Sequence, residues 1–334
     1  MQRCGQWLLT TAVMVLVLAP VLVCAYPMPL SFFKFNEAED VNQSLVTNYG
    51  YHGGQGAGYW LSMYTNWAST YSASNDVACN CLSEDGQGTS GQLGDRALRL
   101  PVPDMGADGA TGLVKWARAQ LTEGETAYNS LSGMTVVVWF KAFVPLKKDP
   151  ALVWKLGNGL YAWSIEGNTG IVPADGVPLR FIAGNQTVWA SADGTGTGTS
   201  DFKETNEWVF LAVTYDGSQA ADNVRWYKGG TGLKTTEFVR ANTVAAGNTG
   251  NGAGQLSIGG RVGTSQDRPF FGLIDNVRGF ASKTDATVPV LTQDELEGLR
   301  LTDAVPEPAA MVGAMLVVLL AIPRHARARF FAMR

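Results

Sequence analysis

Glu207-Trp208-Val209-Phe210-Leu211-Ala212-Val213-Thr214-Tyr215-Asp216-Gly217 is the stretch that decides the fold of this chain. Successive side chains of an extended strand alternate between faces. Trp208, Phe210 and Ala212 therefore share one face, and Val209, Leu211 and Val213 share the other. Both faces are apolar, as in a strand at the centre of a sandwich with cover on each side. Trp208 is accordingly assigned to the core.

Strands extend outward from this one at short spacing. Met134 to Phe143 is rich in β-branched and aromatic residues, and Trp139 within it reads as core. Ala151 to Leu156 and Leu160 to Glu166 pair across Gly157-Asn158-Gly159, whose Asn-Gly step favours a tight hairpin. Leu179 to Ala183 and Thr187 to Ser191 form a second hairpin across Gly184-Asn185-Gln186. Val224 to Tyr227, Glu237 to Arg240, Gln255 to Ile258 and Phe270 to Phe280 continue the series, with Phe32 to Phe35 and Ala97 to Leu100 upstream. Residues 42 to 94 keep no steady period, and a structureless stretch of that length predicts short strands hidden within it. Thr292-Gln293-Asp294-Glu295 makes a capping box that starts one helix before Leu296 and Leu299. With 39 glycines and only 16% charged residues, the composition fits an all-β fold with many turns.

The order of these pieces resembles the LamG-like jelly-roll family. Glu207 to Gly217 is similar to that family's W-x-h-x-A-x-T-Y-D-G strand. It is followed, as in the family, by Val224-Arg225-Trp226-Tyr227-Lys228-Gly229-Gly230, by Leu256-Ser257-Ile258-Gly259-Gly260 and by Phe271 to Phe280. The resemblance covers residues 93–301 best; 42–92 and 101–130 look longer than usual. It implies a concanavalin A-like sandwich of two antiparallel sheets, a jelly roll closed by a short C-terminal helix.

Both ends of the chain read as addresses. Residues 1–25 resemble a signal peptide, with Arg3 before an apolar run from Trp7 to Val23 and small residues at Cys24 and Ala25. Residues 305–334 resemble a PEP-CTERM sorting signal, of the kind an exosortase recognises and cuts in Gram-negative bacteria. Pro306-Glu307-Pro308 is followed by an apolar run over 309–322 and then by Arg324, Arg327 and Arg329. About 14 residues make roughly 21 Å of helix, short of a hydrocarbon core of roughly 30 Å. The basic cluster holds that end on the cytoplasmic side, transiently anchored in the inner membrane. A permanent single-span anchor is the alternative. Either way residues 26–304 form the exported jelly-roll domain, at the cell surface or in the extracellular matrix.

Without the two end segments, 20 basic and 28 acidic residues remain, a net charge near −8. That balance argues against nucleic acid as a partner. The exported part keeps two cysteines, Cys79 and Cys81, which suit a local loop disulfide in an oxidising compartment.

Enzyme chemistry finds little support. Laminarinase-type relatives carry Glu-x-Asp-x-x-Glu on one strand, because glycoside cleavage needs two carboxylates at a fixed separation. No such strand occurs, and Glu37-Ala38-Glu39-Asp40 and Glu84-Asp85 read as solvated loops. The family resemblance places Asp275 on the last strand, where related sandwiches hold a structural calcium with an aspartate and backbone carbonyls. Carbonyls near Asn36 and Gly94 would supply further oxygens. The alternative is that Asp275 bonds neighbouring backbone without metal. Arg278 reads as an ion-pair partner. Trp154, Trp163, Trp189 and Trp226 lie in predicted strands, where an indole either stacks on a sugar ring or fills the core. Two functions follow: a glycan-binding or adhesive module that holds extracellular polysaccharide, and a structural component contacting other surface proteins.

Overall fold

A computed structural model describes residues 27–37, 45–50, 61–66, 77–78, 81–100, 116–121, 126–146, 150–156, 161–167, 176–232, 234–252, 254–260 and 270–304. The proposed leader, Cys79 and the tail with Pro306, Glu307, Pro308, Arg324, Arg327 and Arg329 lie outside the described residues. No helix among the described residues is long and apolar enough to cross a membrane.

Among the described residues sixteen strands and one helix follow in chain order: β1 Ser31–Phe33, β2 Leu45–Val46, β3 Leu61–Asn66, β4 Val77–Ala78, β5 Leu98–Leu100, β6 Trp116–Leu121, β7 Gly133–Ala142, β8 Ala151–Leu156, β9 Tyr161–Gly167, β10 Leu179–Ala183, β11 Gln186–Ala190, β12 Val209–Asp216, β13 Val224–Gly230, β14 Glu237–Asn242, β15 Leu256–Ile258, β16 Gly272–Ser282 and α1 Gln293–Ala304. All pair antiparallel, in two sheets. The first runs β1-β16-β7-β12-β13-β14, with β5 also on β16. The second runs β11-β10-β9-β8-β15-β6-β3-β2, with β4 on β3. The jelly-roll sandwich expected from the sequence is the fold observed.

The alternation in β12 has the predicted outcome. Val209, Leu211, Val213 and Tyr215 point into the core between the sheets, beside Val136, Val138 and Phe140 of β7. Phe210 and Ala212 point outward, where Leu296 and Leu299 of α1 bury them together with Val137 and Trp139. Burying each such leucine contributes roughly 1.5–3 kcal/mol. The capping box forms: Thr292 N–H donates to Glu295 Oε2 at 2.7 Å and Glu295 N–H to Thr292 Oγ1 at 3.3 Å.

Two details differ from expectation. Trp208 precedes β12 and is partly buried at the rim of the helix-covered cluster, not in the core. The second hairpin has a two-residue turn, because Ala183 pairs with Gln186. Gly184 sits in its first position at φ +59°, a conformation glycine adopts without a Cβ penalty.

Candidate functional site

The outer face of the first sheet carries one polar row that α1 does not cover. Leu273 of β16 lies opposite Arg99 of β5 on one side and opposite Lys141 of β7 on the other. Continuing the β7–β12 and β12–β13 registers one residue past their ends aligns Lys141 with Trp208 and Trp208 with Thr231. All five line a cleft of about 650 Å³, with Phe143, Asn206 and Ala304 at one side and the loop Glu84 to Gly91 at the other. Trp208 and Ala304, the last described residue of α1, are partly buried and pack against the cluster that the helix covers.

The loop wall is tied down by Asp275. Thr89 N–H and its hydroxyl donate to Asp275 Oδ2 at 2.9 and 2.8 Å, and Asn276 N–H donates to Oδ1 at 2.7 Å. A β-bulge between Asp275 and Arg278 makes this contact available. Asp275 faces Trp139 and Arg278 faces Val137, so one extra residue in β16 keeps both charged side chains on the outer face. The loop is also braced internally, where Ser90 N–H and hydroxyl donate to Asp95 Oδ2 at 2.6 and 2.7 Å. Gly88 packs against that carboxylate so closely that a Cβ would lie 2.3 Å from Asp95 Cγ. Burial pushes the Asp275 carboxyl well above its ordinary value and the Asp95 carboxylate adds to this, while the Thr89 hydrogen bonds pull the other way. Burial likewise raises Asp95.

The donors around Asp275 do not fit a calcium site. Three hydrogens point at its two oxygens, where a cation would face them. Asn36 Oδ1 accepts from Arg96 N–H, and Gly94 turns its N–H toward Asp85. Among the described residues no three His, Cys, Asp or Glu side chains gather in one place. Asp275 holds the backbone of Thr89 and Asn276, a contact read from the sequence as the alternative to a metal.

The four tryptophans named as stacking candidates lie elsewhere. Trp154, Trp163 and Trp226 are 0, 1 and 0% exposed and present no face to a ligand. Trp163 and Trp226 belong to the core between the sheets, where large apolar groups are required, and their indole N–H groups find acceptors there. Trp163 Nε1 donates to the Tyr128 carbonyl at 3.2 Å, and Trp226 Nε1 to Asn242 Oδ1 at 2.9 Å. Trp189 keeps partial exposure, with the Arg180 guanidinium 5.4 Å from its ring centroid and Arg180 paired in turn to Glu166. Cys81 is disulfide-bonded, and its partner lies outside the described residues. The residues that do converge, Arg99, Lys141 and Trp208, were not singled out for binding in the sequence. One signal was present: Lys141 is a cation set in the most apolar strand of the chain, in register for the outer face.

Residues 108–286 match the family model of the concanavalin A-like lectin/glucanases superfamily, in its laminin G form. That is more than half of the chain, and the chain belongs to this superfamily. No curated protein matches the sequence significantly. Among solved structures, domain 4 of AbnA, a GH43 extracellular arabinanase from Geobacillus stearothermophilus in complex with arabinotriose, is 14% identical with a TM-score of 0.44, covering 82% of this chain and 99% of that one. An arabinofuranosidase complexed with arabinofuranosyl-alpha-1,2-xylobiose is 10% identical with a TM-score of 0.47, covering 77% of this chain and 50% of that one. A heptameric SAP-like pentraxin from Limulus polyphemus is 13% identical with a TM-score of 0.34, covering 52% and 72%. These likenesses are too distant to carry a ligand or a reaction to this chain.

Proposed function

We propose that this chain is a non-catalytic glycan-binding module, exported to the cell surface or matrix, and that it holds extracellular polysaccharide in the cleft beside Trp208. The observation that carries the reading is the partly covered indole of Trp208 set in a polar row with Lys141, Arg99 and Thr231. A sugar ring offers an apolar face to an aromatic ring and hydroxyls to neighbouring donors, so such a row suits it. Cleavage would take two carboxylates across the bond, and Glu84 is the single carboxylate among the described residues that line the cleft. Superfamily membership supports a sugar ligand in general terms.

Export rests on the sequence of the two ends. The apolar leader supports secretion. The Pro306-Glu307-Pro308 motif, the short apolar run and Arg324, Arg327 and Arg329 support sorting through an exosortase-type enzyme at the inner membrane. Mass spectrometry of surface-extracted protein tests this: a C-terminus near Pro308 is expected, and a peptide reaching Arg334 would refute it.

A glycan array probed with the wild-type chain and with Trp208→Ala tests the binding reading. Glycan signals that fade in the variant support it. An array without signal would leave a structural protein that contacts only other proteins.

A further inference from the structure

We propose that the cleft selects acidic glycans, with Arg99 and Lys141 reading carboxylate or sulfate groups on the sugar chain; this rests on the glycan-binding reading above. Both side chains flank Leu273 in one cross-strand row, so both rise from the same face. Neighbouring strands lie roughly 4.8 Å apart, which places the two cations on strands about 10 Å apart. Anionic groups on nearby sugar units can match that separation.

The pairing of cations elsewhere sharpens the point. Arg180, Arg278 and Arg300 each hold a carboxylate, at 2.5, 2.5 and 2.7 Å. Among the described residues neither Arg99 nor Lys141 has a side-chain hydrogen bond or ion pair. Glu84 also lines the cleft, but its Oε2 faces the Gln87 amide at 3.4 Å and neither cation. Two like charges beside a buried leucine repel one another and are left for a ligand to neutralise. The chain as a whole is acidic, at −4, so its overall field does not attract a polyanion. Attraction has to be local, at this pair.

Isothermal titration of the purified chain with matched probes tests the inference. One pair is oligogalacturonate and its methyl ester; the other is a sulfated oligosaccharide and its desulfated form. In at least one pair the acidic member should bind about tenfold more tightly, the ratio expected when a charge-assisted contact is gained. The preference should shrink as salt is raised. Lys141→Gln and Arg99→Gln should each remove most of the preference, weakening the acidic member of a pair far more than the neutral one. Trp208→Ala should weaken both members alike. Equal affinity within both pairs, a preference that survives in both charge variants, or no binding by either acidic probe overturns the acidic reading. Neutral binding lost in Trp208→Ala would still leave the glycan reading standing. An empty array together with no binding by any probe overturns both.

Discussion

Arg278 of β16 and Asp303 in the last turn of α1 form a two-pronged ion pair, Nη1 to Oδ2 at 2.6 Å and Nη2 to Oδ1 at 2.5 Å. Both side chains are 3% exposed. Trp139 Nε1 donates to the same Oδ2 at 2.9 Å, and the guanidinium lies 3.7 Å from the Phe32 ring centroid. Residues from β1, β7, β16 and α1 thus meet at one buried carboxylate. That contact fixes the last described turn of α1 against the sheet.

Asp303→Ala should therefore cost about 3–5 kcal/mol, the usual range when one member of a buried pair is removed and its partner is left charged and unpaired. Urea denaturation reads it. A loss under about 1 kcal/mol would mean the pair is dispensable for holding α1 on the sheet.

Trp139→Ala and Trp208→Ala should differ sharply in stability. Trp139 is fully buried against Phe210, with ring centroids 5.3 Å apart, and its removal leaves a cavity costing about 3–5 kcal/mol. Trp208 is only partly buried, so its removal should cost roughly 1–2 kcal/mol. Equal losses in thermal or urea unfolding would return Trp208 to the core.

Much of the sandwich is legible in the residues themselves. Strand β8 falls where its pattern predicts, and the capping box starts the helix at its expected place, because local chemistry and tertiary demand agree there. Strands β2, β3 and β4 are the short strands expected within residues 42–94. Strand β6 escapes sequence reading: Trp-Ala-Arg-Ala-Gln-Leu favours helix locally, and only pairing with β3 and β15 makes it extended. The site was less legible than the fold. Nothing local distinguishes Trp208 from Trp139, since their burial depends on a helix some hundred residues or more away in the chain. Asp275 and Thr89 are likewise brought together only by the bulge in β16.

The raised carboxyls of Asp275 and Asp95 should give stability a component that declines as pH rises. In both, burial holds the folded value above the ordinary 3.8, so the folded state keeps protons that the unfolded state has released. Their contribution is full below about pH 3.8 and is lost as pH rises through the folded values. Glu297, held low chiefly by its bond from Arg300, contributes in the opposite sense, above its unfolded value and lost as pH falls. Urea midpoints of wild type and Asp275→Asn between pH 4 and 8 should converge toward, or cross in favour of, the variant as pH rises. A constant difference would show that Asp275 does not titrate over that range.

Chelator should leave the melting temperature unchanged, because hydrogen-bond donors already occupy the Asp275 oxygens. A calcium ion at a hundredfold excess over its Kd would add roughly 2.7 kcal/mol, readily seen in a melt. Destabilisation by chelator that calcium restores, and that Asp275→Asn abolishes, would contradict this account of the aspartate.

The most direct measurement of where this chain meets its ligand is the NMR spectrum of its indole N–H groups as the tightest-binding array glycan is added. Trp208 should shift progressively with ligand, and its shift should give the same Kd as titration calorimetry. The resonances of buried Trp154, Trp163 and Trp226 should stay in place. A glycan that leaves Trp208 unmoved, or that instead shifts Trp189 on the other sheet, would contradict the assignment of the cleft as the binding site.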